Sequence, residues 1–241
     1  MNYNVIRERM ATYIPKLYGF LDELGRRQDR QWFRENRAEY DELRAMWLAD
    51  LDRVIAGIEP WWPELRGQSG RSSAYRIYRD TRFSADKRPF KAYFSAAFTP
   101  WGRSTGSAHK PGLYLQMGPN VGDYGVESGL YGGVWQPESA VLRKLRKAIV
   151  DNIEEFEAII TDPEMTRLYP DWCGEALKTV PKGYDRNHPQ AHLLRLKEYG
   201  RFAPRGLDYF DDPAWPEKVA DDFRPLKPLL DFLEYSIDEE V

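Results

Sequence analysis

The sequence predicts an α+β fold: an antiparallel β-sheet of about four or five strands with N- and C-terminal helices packed against it. Three observations lead there. Apolar residues recur in steps of three and four before about residue 60. The pattern then breaks into short aromatic runs separated by Gly, Pro, Asn and Asp up to about residue 131. Helical periodicity returns after Pro137. Helices on either side of a block of strands fit α+β better than an alternating βα chain.

The elements follow in order. Leu17, Phe20, Leu21 and Leu24 form a short apolar stripe ending near Gly25. Asp29 is placed to cap a second helix, whose inward positions are Trp32, Phe33, Asn36, Tyr40, Leu43, Trp47, Leu51, Val54 and Ile58. Spacing kept up that far predicts one amphipathic helix of roughly seven turns, ended by Gly57, Pro60 and Pro63. Segments 73–79, 91–99, 112–118 and 125–131 read as strands, most simply an antiparallel meander. The connection 101–111 is polar and glycine-containing, and a mobile loop is expected there. Pro137 opens a helix with Leu142, Leu145, Ile149, Ile153, Phe156 and Ile160 on one face. A short helix is expected around Pro189 to Lys197, and a last one from about Pro213 that Pro225 and Pro228 divide.

At 241 residues with no low-complexity gap, one domain is expected over 1–241. Aromatic residues make up 14% of the chain, enough that many must line a core or a cleft. The single cysteine, Cys173, excludes an internal disulfide and fits a reducing compartment. No run approaches the ~20 apolar residues of a membrane helix, and Arg7, Glu8 and Arg9 precede no apolar leader segment. A soluble, cytoplasmic protein without a membrane partner is expected.

Charge is unevenly spread. The net charge is −3, yet region 71–91 sets Arg71, Arg76, Arg79, Arg82, Lys87, Arg88 and Lys91 against Asp80 and Asp86. Region 178–205 sets Lys178, Lys182, Arg186, Arg195, Lys197, Arg201 and Arg205 against Asp185 and Glu198. Two basic segments on an acidic body predict a focused positive site. They argue against a general polyanion surface, and nucleic acid is a disfavoured partner at a pI of 5.8.

Four motifs stand in order. The first is Trp32, Phe33, Asn36 and Tyr40. The second is Tyr78-Arg79-Asp80-Thr81-Arg82-Phe83-Ser84-Ala85-Asp86-Lys87-Arg88-Pro89-Phe90-Lys91. Then come Gly132-Gly133-Val134-Trp135-Gln136-Pro137, and Lys178-Thr179-Val180-Pro181-Lys182-Gly183-Tyr184 with His188-Pro189, Leu193-Leu194 and Lys197. Through them the chain resembles a bacterial and fungal family of conserved hypothetical proteins, a domain of unknown function. The resemblance covers about 18–205 and leaves 206–241 as a helical extension. Phe90 stands where the family usually has Tyr, and Arg27-Gln28 replaces a common Asn-Asn, so a shared role for those groups is not implied. The resemblance implies no activity, so no catalytic residue is inherited from it.

The candidate ligand-binding residues are Arg79, Asp80, Arg82, Asp86, Lys87 and Lys91 on the loop, with Lys178, Lys182 and His188 from the second segment. Guanidinium groups bind carboxylate or phosphate with two parallel hydrogen bonds, and lysines add point charge. Three readings compete: ion pairs such as Arg79–Asp80 and Asp86–Lys87 that fix the loop, an anion site on the surplus cations, and metal binding by Asp80 and Asp86. The leading expectation is a pocket for a small anion, phosphate or carboxylate. Tyr75, Tyr78 and Tyr93 would be its walls, and Arg79, Arg82, Lys87 and Lys91 its floor, joined by Lys178 and Lys182. The alternative is a protein-interaction or scaffold module whose charged motif is structural.

Other chemistries fail at the residue level. His188 and His192 lack the Glu of an H-E-x-x-H zinc motif, so no metal site is assigned. Cys173 has no surrounding nucleophile motif and reads as a buried or incidental thiol. His188, before a proline, reads more simply as a turn residue than as a proton carrier. Gly132 to Pro137 reads as a tight strand-to-helix turn with Trp135 packed beneath it. It lacks either nucleotide-binding glycine pattern, so no cofactor is expected. No acid–base pair stands out, and turnover is left unassigned.

Overall fold

The computed structural model describes residues 12–82, 84–102, 109–119 and 127–239. Phe83, most of the polar connection read at 101–111, and the start of the strand read at 125–131 lie outside the described residues.

Helix α1 (Ile14–Arg27) buries Ile14, Leu17, Phe20, Leu21 and Leu24, the expected stripe. It runs past Gly25 and stops where Gln28 turns left-handed, φ 50°. The long amphipathic helix is present with the expected buried face, but it is not one helix. Asp29 caps α2 (Arg30–Glu35) by accepting hydrogen bonds from the Gln31 and Trp32 amides. A break at Asn36 (φ −101°, ψ 18°) separates it from α3 (Arg37–Ile58). The cause is local. Asn36 Nδ2 donates to the Trp32 carbonyl at 2.9 Å, a side chain competing for an acceptor that the helical backbone also uses. Seven positions of α3 (Tyr40, Leu43, Trp47, Leu51, Val54, Ile55 and Ile58) are buried.

The first expected strand, 73–79, is corrected. Ser69 and Ser72 form a reciprocal capping box that starts a one-turn helix, α4 (Gly70–Ser73). Beyond it the chain is extended and meets the following segment at two isolated antiparallel bridges, Ala74↔Ala96 and Tyr78↔Phe90. Tyr75 and Arg79 amides donate to the Ser95 and Pro89 carbonyls, while Ile77 accepts from Lys91. Pro89 has no N–H to return, which limits this arm to scattered pairing.

The sheet contains β1 (Phe94–Phe98), β2 (Gly112–Met117), β3 (Gly129–Val134) and β4 (Tyr199–Pro204). It is antiparallel, and each strand pairs with the next in chain order. The fold is α+β. Strand β4 lies in a stretch read from sequence as a basic segment, because Gly200, Arg201 and Pro204 carry no strand-like composition.

After β3 the chain forms α5 (Ser139–Asp151), α6 (Ile153–Ile160), α7 (Pro163–Leu168) and the single turn α8 (Ala191–Leu194). The expected continuous helix from Pro137 breaks at Asn152, whose Nδ2 donates to the Ala148 carbonyl at 3.0 Å. The device at Asn36 is thus used twice. The chain ends in α9 (Leu207–Phe210), α10 (Trp215–Phe223) and α11 (Lys227–Asp238). Pro225 and Pro228 sit at the starts of the 3-10 turn Arg224–Leu226 and of α11, dividing the last helix as expected.

By compactness the chain falls into two units. The first comprises Met1–Ala97, Tyr114–Leu130 and Pro204–Asp221, the second Phe98–Leu113, Tyr131–Ala203 and Asp222–Val241. In the first, Phe94 meets Trp47 at 4.9 Å and Tyr40 at 5.9 Å, and Phe33 meets Phe90 at 4.6 Å. In the second, the buried Phe156 ring meets Phe232 at 4.9 Å and lies parallel to Trp172 at 6.1 Å. Each such fully buried side chain contributes roughly 1.5–3 kcal/mol relative to exposure.

Candidate functional site

The basic loop belongs to the first unit and is held at both ends. Phe90 is buried between Phe33 and Tyr78, with ring centroids 4.6 and 5.3 Å away. Its amide donates to Gln28 Oε1 at 3.0 Å. Gln28 also donates its side-chain nitrogen to the Gly25 carbonyl at 3.4 Å. A residue set aside in sequence as a departure from the family pattern therefore anchors the loop. Its one visible signal is its place between Gly25 and the capping Asp29.

Within the loop, two short repeats do the same thing. In Asp80-Thr81-Arg82, Asp80 accepts from the Arg82 amide at 3.2 Å and from its Nε and Nη2 at 3.0 and 2.7 Å. In Asp86-Lys87-Arg88, Asp86 accepts from the Arg88 amide at 3.0 Å and from its Nε and Nη2 at 3.0 and 2.6 Å. Each aspartate turns the backbone and holds the guanidinium two residues on in a fork. Asp86 also takes Arg79 Nη1 as a partner. The pairing differs from the adjacent pairs Arg79–Asp80 and Asp86–Lys87 read from sequence. Neighbours in extended chain point to opposite sides, whereas residues two apart share one.

Hydrogen bonds from Arg82 hold the Asp80 carboxyl down to about 2, and those from Arg88 and Arg79 hold Asp86 well below the usual carboxylate range. Lys87 Nζ donates to the Thr81 carbonyl at 2.9 Å. Lys91 places its ammonium 5.0 Å from the Tyr75 ring and 5.6 Å from the Tyr93 ring. Tyr78, 38% exposed, packs edge-on against Phe33. Asp80 and Asp86, weighed as metal ligands, are both occupied by guanidinium groups.

Lys178, Lys182 and His188 belong to the second unit. Both lysines are exposed. His188 Nδ1 accepts from the Gln190 amide at 3.2 Å, and its ring stands edge-on to Tyr184 at 6.0 Å, the turn role that its place before Pro189 suggests. One cation of this segment is internal. Arg201, 4% exposed, donates to the carbonyls of Tyr169, Pro170 and Ile160 at 2.7, 3.0 and 3.3 Å and lies 4.4 Å from the Trp172 ring. Lys197 pairs with Glu175 at 2.6 Å.

The Gly132-Gly133 motif is corrected in two respects. Both glycines lie within β3, where a Cβ on Gly133 (φ 144°) would meet the Tyr199 carbonyl oxygen at 2.2 Å. Close approach of two backbones explains that glycine without an anion. Trp135 is 57% exposed, not packed beneath a turn. It follows the strand end, and Gln136 beside it adopts φ 42°. Cys173 is half-buried, its thiol pushed up to about 12 chiefly by burial, which keeps it in the unreactive form.

An α+β protein with an aspartate–arginine-locked basic loop is the class this geometry defines. The chain belongs to DUF2461, a family of conserved hypothetical proteins whose model matches residues 16–232. Comparisons with curated proteins and with solved structures find no match. Among the described residues, no helix is long and apolar enough to cross a membrane.

Proposed function

We propose that the loop 75–91 binds a small anion, a phosphate or a carboxylate. The observation that carries this reading is charge. The loop holds Arg76, Arg79, Arg82, Lys87, Arg88 and Lys91 against only Asp80 and Asp86, and both carboxylates stay ionised. A surplus of four positive charges is thus held on a backbone fixed by two side-chain turns. Fixed guanidinium groups lose less freedom when they take up an oxyanion, which favours binding. Arg82 is the most outward of them, its side chain 76% exposed.

The same forks favour a second reading, an interaction module in which the motif only shapes the loop. A thermal-shift screen against inorganic phosphate, sulfate, nucleotides and carboxylates, run on wild type and Arg82→Ala, separates the two. Saturating ligand at 100 times its Kd stabilises by about 2.7 kcal/mol. A shift with one anion class that Arg82→Ala loses while still folding supports the anion site. No shift with any anion, together with strong destabilisation by Arg82→Ala, transfers the lead to the interaction module.

A further inference from the structure

Glu198 is a carboxylate on the second unit that carries a different chemistry. The residue is 4% exposed. Its Oε2 accepts from the Gln136 amide at 3.2 Å, while Oε1 is buried with no hydrogen-bond partner among the described residues. Tyr131, 6% exposed, has a hydroxyl in the same condition. Two neighbouring buried polar groups without partners, a carboxylate oxygen and a hydroxyl, are uncommon in a folded protein and call for an occupant.

The two groups lie against the same strand, β4. Glu198 and Gly200 are two residues apart in the chain entering β4, so they face the same side. A Cβ on Gly200 would lie 2.1 Å from the Tyr131 hydroxyl oxygen, which means that the phenol fills the room left by the missing side chain. On the other flank, a Cβ on Gly174 would lie 2.7 Å from Glu198 Oε1. Cys173, next to it, ties this flank to β4 by donating its amide to the Gly200 carbonyl at 2.8 Å. Burial, and after it the charge of Glu198, raises the Tyr131 phenol well above the ordinary value.

The site lies just under the surface. Gln136, Trp135 and Gly174 at its rim are all exposed. The Trp135 ring stands 5.7 Å from Tyr131 at 83°, and Trp135 precedes Gln136, whose amide reaches the carboxylate. Burial pushes Glu198 up, and among the described residues the Gln136 amide is the group that favours its ionised form. Arg201, the buried cation of β4, is directed to the carbonyls of Tyr169, Pro170 and Ile160.

We propose that Glu198, Tyr131 and Trp135 form a binding site for a primary alkylammonium group. The carboxylate supplies the counter-charge, Oε1 and the Tyr131 hydroxyl accept N–H donors, and the perpendicular rings offer cation–π contact to the charged carbon–nitrogen end. A primary amine matches better than a quaternary one, because both vacant acceptors need donors. The group can come from a free small amine or from a lysine side chain of a peptide.

Calorimetric titration at pH 8 with n-butylammonium, Nα-acetyl-lysine amide, tetramethylammonium and n-butanol tests the assignment. Saturable binding of either primary amine, with n-butanol silent and tetramethylammonium weaker, is expected, and the better of the two amines identifies the source. Glu198→Gln, which keeps an oxygen for the Gln136 amide, should weaken binding by about tenfold or more. Trp135→Ala alters only an exposed ring and should weaken it several-fold with the fold intact, so it decides the matter if Glu198→Gln does not fold. No saturable binding of either primary amine overturns the proposal, as does equal affinity for tetramethylammonium or unchanged affinity in Trp135→Ala.

Discussion

Asp86 and Glu198 are side chains of the same charge in a chain of net charge −3, and their surroundings drive them in opposite directions. Asp86 lies on a half-exposed loop and gathers Arg79 and Arg88 around it, so it is held ionised far into acid. Glu198 is buried beside β4, receives one backbone amide, and is held toward its protonated form. Local sequence explains the contrast. Asp86 has an arginine two residues away and a backbone that turns to present it, whereas Glu198 has Gly200 there, which admits the Tyr131 phenol and brings no charge. A carboxylate that makes its own partners fixes a loop, and one buried with an unpaired oxygen is left for something else to pair with.

The most forceful way to test this contrast is to crowd the Tyr131 phenol at Gly200. Gly200→Ala places a Cβ within 2.5 Å of three atoms of the Tyr131 side chain, its hydroxyl oxygen and two ring carbons, so the phenol or the strand must move. A loss of about 3 kcal/mol or more in urea-induced unfolding is expected. Unchanged stability would mean that the phenol does not rest on Gly200, and the comparison would collapse.

A milder change acts on the charge alone. The folded-state pKa of Glu198 is raised above 4.5, so its contribution to stability is complete below that pH and is lost as pH rises through the folded value. Wild type should therefore lose stability on that rise while Glu198→Gln does not. At pH 8 the variant should be the more stable by on the order of 1 kcal/mol. Parallel pH profiles for the two proteins would place Glu198 in an ordinary aqueous environment.

The loop should answer with the opposite sign. Asp86 is depressed below 3.8, so its contribution is complete above that pH and disappears as pH falls through the lower folded value. Asp86→Asn should lower Tm by a few degrees at neutral pH, and the difference from wild type should close in strong acid. Smallest of all, Arg82→Ala should leave Tm unchanged in ligand-free buffer, because that pair is exposed and screened. A large drop would show that the outer fork supports the fold and would strengthen the interaction-module reading.

How much of this was legible in the sequence depended on whether many residues or one decided the outcome. The stripes of α1 and α3 and the prolines dividing the last helices were readable because apolar spacing repeats and proline has one backbone effect. The breaks at Asn36 and Asn152 were not, since each depends on one amide turning back to a carbonyl four residues earlier. Strand β4 was hidden by Gly200, Arg201 and Pro204. The loop cations were visible as a cluster because they are neighbours in the chain. Their partners were not, because pairing follows which side of the backbone a residue faces. The surroundings of Glu198 involve Tyr131, Gln136, Gly174 and Gly200, drawn from separate stretches of the chain, and no local pattern announces them.

The hydrogen bond from the Phe90 amide to Gln28 joins residues 62 positions apart and lies under a ring that is 1% exposed. That amide proton is a clock for the loop. Its exchange with deuterated solvent requires the segment around Phe90 to lift from Phe33 and Gln28, so the exchange rate measures how often the anchored end of the loop opens. If exchange at Phe90 is as slow as at the core of α3, the basic loop is a fixed part of the first unit, and ligands must come to it as it stands. If it is much faster, the loop is released and recaptured while the helices beneath remain folded.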